Sequence, residues 1–306
     1  MEYTNFDVTA DWAPSFAMND RLHFFKYMSA ATAKIVLNAG TLRWSRSVML
    51  NDPFDMQFDL PLHPDRVAIK EEATKACWEQ FANGVIPPTS PLLDAFKLTR
   101  QLPTRLQETR FKETLSTAID AWIDGMSATL PQMHLDAKPF VSDFKILSLT
   151  VRPDIPTMWS HYADSYRGVV LRFRSADSNS PFFMAKPVNY VDELPDLYST
   201  QELIDHITAV KPMTSRMVVD KIIYTKSMHW SYEQEWRISL GSGREKHAQY
   251  EDQYFGLEEL DGVIFGLGTS EADRAVITML AGKHPQIKFM QLTRRADGFG
   301  LTIDVI

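Results

Sequence analysis

The hydrophobic pattern of this chain alternates between a strand period and a helix period. Short apolar or alternating runs predict strands at residues 23–27, 41–45, 144–150, 168–174, 187–190, 236–240, 262–267, 287–292 and 301–305. Apolar positions at helical spacing predict helices at residues 30–38, 157–163, 201–210, 215–226 and 271–282. We therefore predict an α+β fold with a mixed, largely antiparallel sheet and flanking helices.

A long helical block separates the first strands from the later ones. From about residue 64 to residue 126 the spacing is helical, with breaks around residues 87–91 and at Pro103. Basic and acidic residues are interspersed there, as on a solvated helical face. A cap over a site and a docking surface for a partner remain open as alternatives. We predict a single domain over residues 1–306, with residues 64–140 as a helical insertion or cap.

Composition and charge narrow the class of protein. The chain has 306 residues and a formal net charge of −7, which argues against a strong non-specific grip on nucleic acid. Its one cysteine, Cys77, excludes an internal disulfide framework and a Cys-rich zinc site, and we expect no structural metal. The acidic amino terminus lacks signal-peptide character, and no apolar run is long enough to span a membrane. We expect a cytoplasmic protein without a membrane partner.

Two carboxylates and an arginine stand between indoles at Trp230–Arg237, W-S-Y-E-Q-E-W-R. Charged groups are costly to bury unless they are paired or hydrogen-bonded, so this interleaving predicts a half-buried polar site. In an extended segment Glu233, Glu235 and Arg237 would share one face. In one interpretation Arg237 neutralises the acidic pair in a salt-bridge cluster, and in the other one carboxylate binds a ligand. The sequence leaves both interpretations open.

A second polar segment, M-W-S-H-Y-A-D, covers Met158–Asp164. On a helix His161 and Asp164 would face each other, and the acid could orient the imidazole. A hydrogen-bonded structural histidine is the alternative. Near the amino terminus Lys26 lies in an apolar strand and must find a partner; Glu233 or Glu235 would satisfy it. The segment Asn51–Asp55, N-D-P-F-D, predicts a turn.

Common catalytic signatures are missing from the chain. It has no G-x-x-x-x-G-K-[ST] loop and no G-x-G-x-x-G after a strand. The H-E-x-x-H and G-x-S-x-G motifs are also absent. A P-loop nucleotide hydrolase, a Rossmann dehydrogenase, a zincin and an α/β-hydrolase are therefore not indicated.

Taken in order, several segments resemble the bacterial domain-of-unknown-function family 2971. The segments are F-F-K-Y, L-R-W-S, N-D-P-F-D, L-S-L-T, M-W-S-H-Y-A-D-S-Y-R-G-V-V-L-R-F and K-S-M-H-W-S-Y-E-Q-E-W-R-I. They run from about residue 22 to residue 268 of the chain. The family name supplies no activity, but its association with bacterial stress and phage defence implies a toxin-like effector.

The order of the site residues also resembles that of ADP-ribosyltransferases, in which a basic residue on the first strand precedes a glutamate near a later strand. That resemblance implies NAD as the cofactor, Glu235 as the catalytic carboxylate with Glu233 as the neighbour that orients the acceptor, and aromatic side chains holding the nicotinamide ring. From its own sequence context we add His161 as a catalytic candidate. The residues that would bind the nucleotide are Lys26, Tyr27, Ser45, Trp159, Tyr162, Trp230 and Arg237.

Three functional hypotheses follow. The first is an ADP-ribosyltransferase-like transferase or NAD glycohydrolase, with a nucleotide as small-molecule partner, a nucleic acid or protein as acceptor, and a regulatory protein partner. The second is a metal-dependent nuclease or phosphodiesterase in which Asp52, Asp55, Glu233 and Glu235 share a divalent ion. The third is a non-enzymatic module that senses a ligand or binds a partner.

Overall fold

The computed structural model describes residues 19–306 except residues 57–58, 86, 88 and 176–179; the side chain of Arg105 is also outside the description. The amino-terminal segment used above to argue against a signal peptide lies outside the described residues. The described chain divides into two compact units. We call residues 59–139 and 193–222 the helical unit, and residues 19–56, 140–192 and 223–306 the sheet unit.

The elements follow the predicted order closely. The strands are β1 His23–Met28, β2 Thr41–Arg46, β3 Lys145–Thr150, β4 Val169–Arg174, β5 Lys186–Pro187, β6 Asn189–Val191, β7 Thr225–Ser227, β8 Glu235–Ser239, β9 Tyr250–Tyr254, β10 Leu260–Phe265, β11 Lys288–Arg294 and β12 Leu301–Val305. The helices are α1 Ala30–Ala39, α2 Arg66–Ala82, α3 Leu93–Arg100, α4 Thr104–Ser142, α5 Pro156–Tyr162, α6 Thr200–Ile207, α7 Ser215–Tyr224 and α8 Glu271–Ala281.

Local signals set several of these boundaries. The Ser29 side chain accepts a hydrogen bond from the Thr32 amide and begins α1. Gly40, at φ +68°, ends α1 with its amide on the Val36 carbonyl, as predicted. In the helical unit, Ser199 and Glu202 form a reciprocal capping box that begins α6.

The helical unit packs around aromatic side chains of α2, α3 and α4. Phe81 stacks on Phe111 with ring centroids 5.1 Å apart, and Phe96 meets Phe111 edge-on at 5.2 Å. Cys77 is buried in the same unit, and burial raises the pKa of its thiol to about 12, as expected for a small apolar side chain. That residues 64–140 form an insertion or cap stays a prediction.

The sheet unit is built on one mixed sheet. Within the described residues, the strand order is β12-β11-β10-β4-β1-β3-β2-β9, with β8 pairing β3 and β5. The pairing of β10 with β11 is parallel, and the other pairings in this sheet are antiparallel. A separate parallel pair joins β6 and β7. The α+β prediction is confirmed.

Apolar side chains alternate between the two faces of this sheet because strand residues point to opposite sides. On one face Phe24, Leu171 and Phe265 pack with residues of α1 and α8. On the other face Tyr27 and Trp159 join a smaller cluster. No helix among the described residues has the length and apolar character needed to cross a membrane.

Candidate functional site

The sheet opens between β1 and β3. These strands share a single register pair, Phe25 with Thr150, whereas β2 pairs with the other end of β3 at Ile146 and Lys145. Buried backbone groups between the two pairings need partners from elsewhere. The Ser148 carbonyl finds one in the ammonium of Lys26, whose Nζ donates to it at 2.7 Å. A side chain thus bridges the place where strand pairing is interrupted.

A cavity of about 280 Å³ lies at this opening in the sheet unit. Its wall combines residues of β1 and β3 with the segment after β2 and with polar side chains of α5, β7 and β8. The lining residues are Phe25, Lys26, Tyr27, Ser45, Met49, Leu50, Asn51, Asp55, Ser148, Leu149, Thr150, Met158, Tyr162, Lys226, Glu233 and Glu235. Buried charge beside an open space is the usual mark of a ligand site.

The acidic pair reaches this cavity through a backbone kink. Glu233 ends a 3₁₀ helix, Met228–Glu233, and Glu235 begins β8. Gln234 between them has φ +45°, in the left-handed region, so the extended arrangement considered from the sequence does not include Glu233. Both carboxylates nevertheless converge on Lys226, whose Nζ donates to Glu233 Oε2 at 2.6 Å and to Glu235 Oε2 at 3.0 Å. The kink replaces strand alternation as the reason the acids meet.

Arg237 is buried and joins Glu235 to Asp55. Its Nε and Nη2 donate to the Glu235 carboxylate at 2.8 and 2.9 Å. Its Nη1 and Nη2 donate to Asp55 at 2.8 and 2.5 Å, and Nη1 also donates to the Ile223 carbonyl at 2.7 Å. Because the planar guanidinium pairs with a carboxylate on each side, all of its N–H groups have acceptors. The salt-bridge cluster proposed from sequence is present, with Asp55 and Lys226 as additional members.

Electrostatics within this cluster oppose the cost of burial. Burial would raise the pKa of Glu235, but the charge and hydrogen bonds of Arg237 outweigh it and lower the pKa to about 2. Burial would lower the pKa of Lys226, and attraction to Glu235 and Glu233 instead holds that pKa above its ordinary value. Glu235 and Lys226 are therefore charged at neutral pH and hold each other in place.

The second oxygen of Glu233 is bound by Tyr162. The Tyr162 hydroxyl donates to Glu233 Oε1 at 2.5 Å and accepts from Asn51 Nδ2 at 2.8 Å. Burial, followed by the hydrogen bond to Glu233, raises the pKa of Tyr162, so the phenol keeps its proton. Residues from α5 and from the N-D-P-F-D turn thus orient one carboxylate at the cavity wall.

The N-D-P-F-D turn is present as predicted. The Asp52 carboxylate accepts from the Phe54 amide at 2.9 Å, and the Asp55 amide donates to the Asp52 carbonyl at 3.1 Å. The turn places Asn51 on Tyr162 and Asp55 on Arg237. A segment that predicted only a turn thus supplies two polar contacts of the site.

The structure brings some of the predicted site residues together and not others. Those that line the cavity are Lys26, Tyr27, Ser45, Tyr162, Glu233 and Glu235. Trp159 is buried instead in the apolar cluster, where its Nε1 donates to the Pro153 carbonyl at 2.8 Å. Trp230 packs over Lys226, with Nζ 5.0 Å from the ring centroid, outside the lining. Arg237 lies behind the acids, with its guanidinium fully paired.

His161 is not oriented by Asp164, so that prediction is wrong. Helix α5 ends at Tyr162, and Asp164 has φ +47°, outside the helix. The Asp164 carboxylate pairs with Arg167 at 2.8 Å. The His161 ring is exposed, and its Nδ1 lies 3.4 Å from the Tyr232 hydroxyl.

The acids expected to share a divalent ion are differently engaged. Among the described residues, no group of three or more His, Cys, Asp or Glu side chains is placed to hold a metal ion. Asp55, Glu233 and Glu235 each accept hydrogen bonds from Lys226 or Arg237. The geometry does not favour the metal-dependent nuclease hypothesis.

Lys226 is the central residue that the sequence reasoning missed. We predicted a helix through residue 226, but α7 ends at Tyr224 and Lys226 lies in β7. The available signal was its place at the start of the K-S-M-H-W-S-Y-E-Q-E-W-R block. A lysine so near two buried glutamates in sequence was a candidate partner for them.

Comparison with known protein families gives a match over residues 158–238, to a family described as a protein of unknown function, DUF2971. No curated protein and no solved structure matches the chain significantly. The matched segment includes Tyr162, Lys226, Glu233 and Glu235, and it therefore supplies the acidic wall of the cavity. This match, over residues 158–238, confirms the resemblance to the DUF2971 family that was found in the sequence.

Proposed function

We propose that the chain binds the nicotinamide riboside end of NAD in the cavity and cleaves its glycosidic bond, releasing nicotinamide and passing ADP-ribose to water or to an acceptor. The observation that carries the proposal is the fixed Glu233 carboxylate in the cavity wall, held by Tyr162 and Lys226. The resemblance in the order of Lys26 and the acidic pair to ADP-ribosyltransferases supports the same reaction class.

Glu233 suits the reacting position better than Glu235. Both oxygens of Glu235 accept hydrogen bonds from Arg237, and one of them also accepts a hydrogen bond from Lys226. Glu233 receives one donor at each oxygen. A carboxylate oxygen can accept about two hydrogen bonds, so Glu233 keeps acceptor capacity for a ribose hydroxyl. In this proposal the role of Glu235 is to hold Lys226 and Arg237 in position, and Glu233 is the carboxylate that reacts.

The proposed cleavage of the glycosidic bond needs little acid–base catalysis by the protein. As the bond to nicotinamide breaks, positive charge develops on the ribose, and the ring nitrogen of nicotinamide takes the bonding electrons. A preorganised carboxylate stabilises that charge in a site with little water. Lys226 and Tyr162 keep Glu233 in one position, so little reorganisation is needed during the reaction.

The size of the cavity is consistent with part of a dinucleotide. At about 280 Å³ it lies near the lower end of the range for small-molecule sites. It has room for a ring and a sugar, which leaves the remainder of NAD outside the described cavity.

The decisive experiment follows nicotinamide release from NAD by chromatography, and label transfer from labelled NAD to protein or nucleic acid. Glu233→Gln keeps the shape and the Tyr162 contact but removes the charge, and we expect the rate to fall by about 100-fold or more. Glu259→Gln is the matched control, because Glu259 is also buried and accepts from Ser180 and Gly256 outside the cavity.

The same assay shows which results would contradict the proposed function. If the wild-type chain neither releases nicotinamide nor transfers label, the proposal is wrong. NAD binding without turnover would instead indicate a ligand-sensing module. If expression in bacteria proves toxic and Glu233→Gln removes the toxicity, the result would extend the proposal to a toxin-like effector.

A further inference from the structure

Lys26, which is only partly exposed, differs from the buried Lys145 and Lys226 in how few acceptors its side chain has. Lys145 meets two backbone carbonyls and the Glu251 carboxylate, and Lys226 meets two glutamates. The one hydrogen bond from Lys26 to a described residue goes to the neutral Ser148 carbonyl. Since an ammonium has three donors, this environment satisfies Lys26 poorly as a cation.

The charges that face Lys26 do not compensate for this. They are Glu235 on β8, Glu233 at the end of the 3₁₀ helix and Lys226 on β7. Both acids already have cations as partners, and Lys226 opposes a second positive charge nearby. Burial is the largest influence, and the pKa of Lys26 is lowered from its ordinary value.

Lys26 is also accessible from the cavity. It lines the cavity wall and is partly exposed there. As a neutral amine it can donate one N–H to Ser148 and keep its lone pair for a ligand. Desolvation beside another cation is a recognised way to activate a lysine amine.

We propose that Lys26 is a nucleophilic amine that captures a small aldehyde or ketone in the cavity as an imine. The Nζ lone pair forms a bond to the carbonyl carbon, and the carbonyl oxygen takes a proton to give a carbinolamine. Loss of one water molecule then leaves the carbon–nitrogen double bond, so the exchange is amine plus carbonyl for imine plus water. No oxidant or reductant is required.

The proton that the nitrogen loses on forming its new bond passes through solvent to the carbonyl oxygen, so the step needs no proton from the protein. Glu233 lines the same cavity as Lys26 and keeps acceptor capacity for the proton that the amine loses. This inference goes beyond the proposed glycosidic chemistry and does not depend on NAD as the substrate.

The test uses the full chain, glycolaldehyde as the carbonyl probe and sodium cyanoborohydride, which reduces an imine to a stable secondary amine. Peptide mass spectrometry then measures modification at each lysine. Lys97 is the internal control, because its side chain is 59% exposed and lies in the helical unit. Each unit by which a lysine pKa falls raises its neutral fraction near pH 7 about tenfold.

We expect at least about tenfold more modification of Lys26 than of Lys97 near pH 7, with the ratio falling toward unity near pH 10. Lys26→Met should remove the fast-reacting fraction while thermal unfolding shows an intact fold. Equal labelling of the two lysines near pH 7, or no labelling of Lys26 at any pH, would overturn the inference. Because NAD is absent from the assay, this result is separate from that of the proposed function.

Discussion

Arg237 illustrates, at the scale of single residues, how a charged side chain can support a site without touching a ligand. Its guanidinium is buried between Asp55 and Glu235 and donates to both. The sequence placed it among the nucleotide-binding residues because it follows the acidic pair. In the structure the N–H groups of Arg237 donate to other residues of the protein. Arg237 therefore contributes to the site by holding Glu235 in position.

Replacing Arg237 should destabilise the fold strongly. In Arg237→Met, Asp55 and Glu235 lose their main partner while still buried, and we expect a loss of about 3–5 kcal/mol in the free energy of unfolding. Chemical denaturation measures it. Arg295→Met, which breaks an exposed pair with Asp297, is the control and should cost less than about 1 kcal/mol. Similar losses in the two variants would contradict this account.

Glu235 should give the protein a defined acid sensitivity. Its pKa is about 2 in the folded chain against an ordinary value of 4.5. A lowered pKa contributes stability above the unfolded value, and this stability is lost as pH falls from about 5 toward 2. The shift corresponds to about 3 kcal/mol. Denaturation curves at a series of pH values should show this loss in the wild type, and a smaller loss in Glu235→Gln. Parallel pH profiles for the two proteins would be the contrary result.

At the scale of elements, the junction between the 3₁₀ helix and β8 decides where the acids lie. Gln234, with φ +45°, turns the chain so that residues on either side of it both reach Lys226. A non-glycine residue in this region carries a cost of about 1–2 kcal/mol. Strand β8 pairs with β3 from the pair Thr150 and Glu235 to the pair Ile146 and Ser239. This pairing holds the junction in place.

Substitutions at Gln234 test that junction directly. Gln234→Gly should keep or raise stability, by up to about 1 kcal/mol, because glycine accepts a positive φ freely. Gln234→Val should lower stability by about 1–2 kcal/mol, because a β-branched residue is disfavoured there. Gln253→Val on β9, where the backbone is extended, should change stability by only about 0.5 kcal/mol. Thermal unfolding of the three variants decides; a stable Gln234→Val would argue against strain at this position.

Element prediction succeeded where the period was regular. Strand β1, helix α1 and the carboxyl-terminal elements were expected within a few residues of their observed ends, because their apolar residues repeat at fixed spacing. Strand β9, Tyr250–Tyr254, was missed because Y-E-D-Q-Y reads as polar. The end of α7 was also missed, because no glycine or proline follows Tyr224 to mark the end of the helix.

At the scale of the whole molecule, the apolar core and the charged cluster occupy different parts of the sheet unit. One face of its sheet packs on α1 and α8 through apolar residues, and the charged cluster lies where β1 and β3 part. Interrupted strand pairing leaves room for side chains between the strands. The cavity therefore depends on which strands are neighbours, and no single segment of the chain contains that information.

Periodicity and costly buried charge are local properties, so the sequence predicted the α+β class, most elements, the family resemblance and a polar cluster that includes Glu233 and Glu235. Three relations became visible only in the folded chain: Lys226 and Arg237 share Glu235, the His161 ring is exposed, and Lys26 lines a cavity. These relations join residues far apart in the chain, as for Arg237 and Asp55, which are 182 positions apart. Strand order and register fix such distances, and they follow from the packing of the whole sheet.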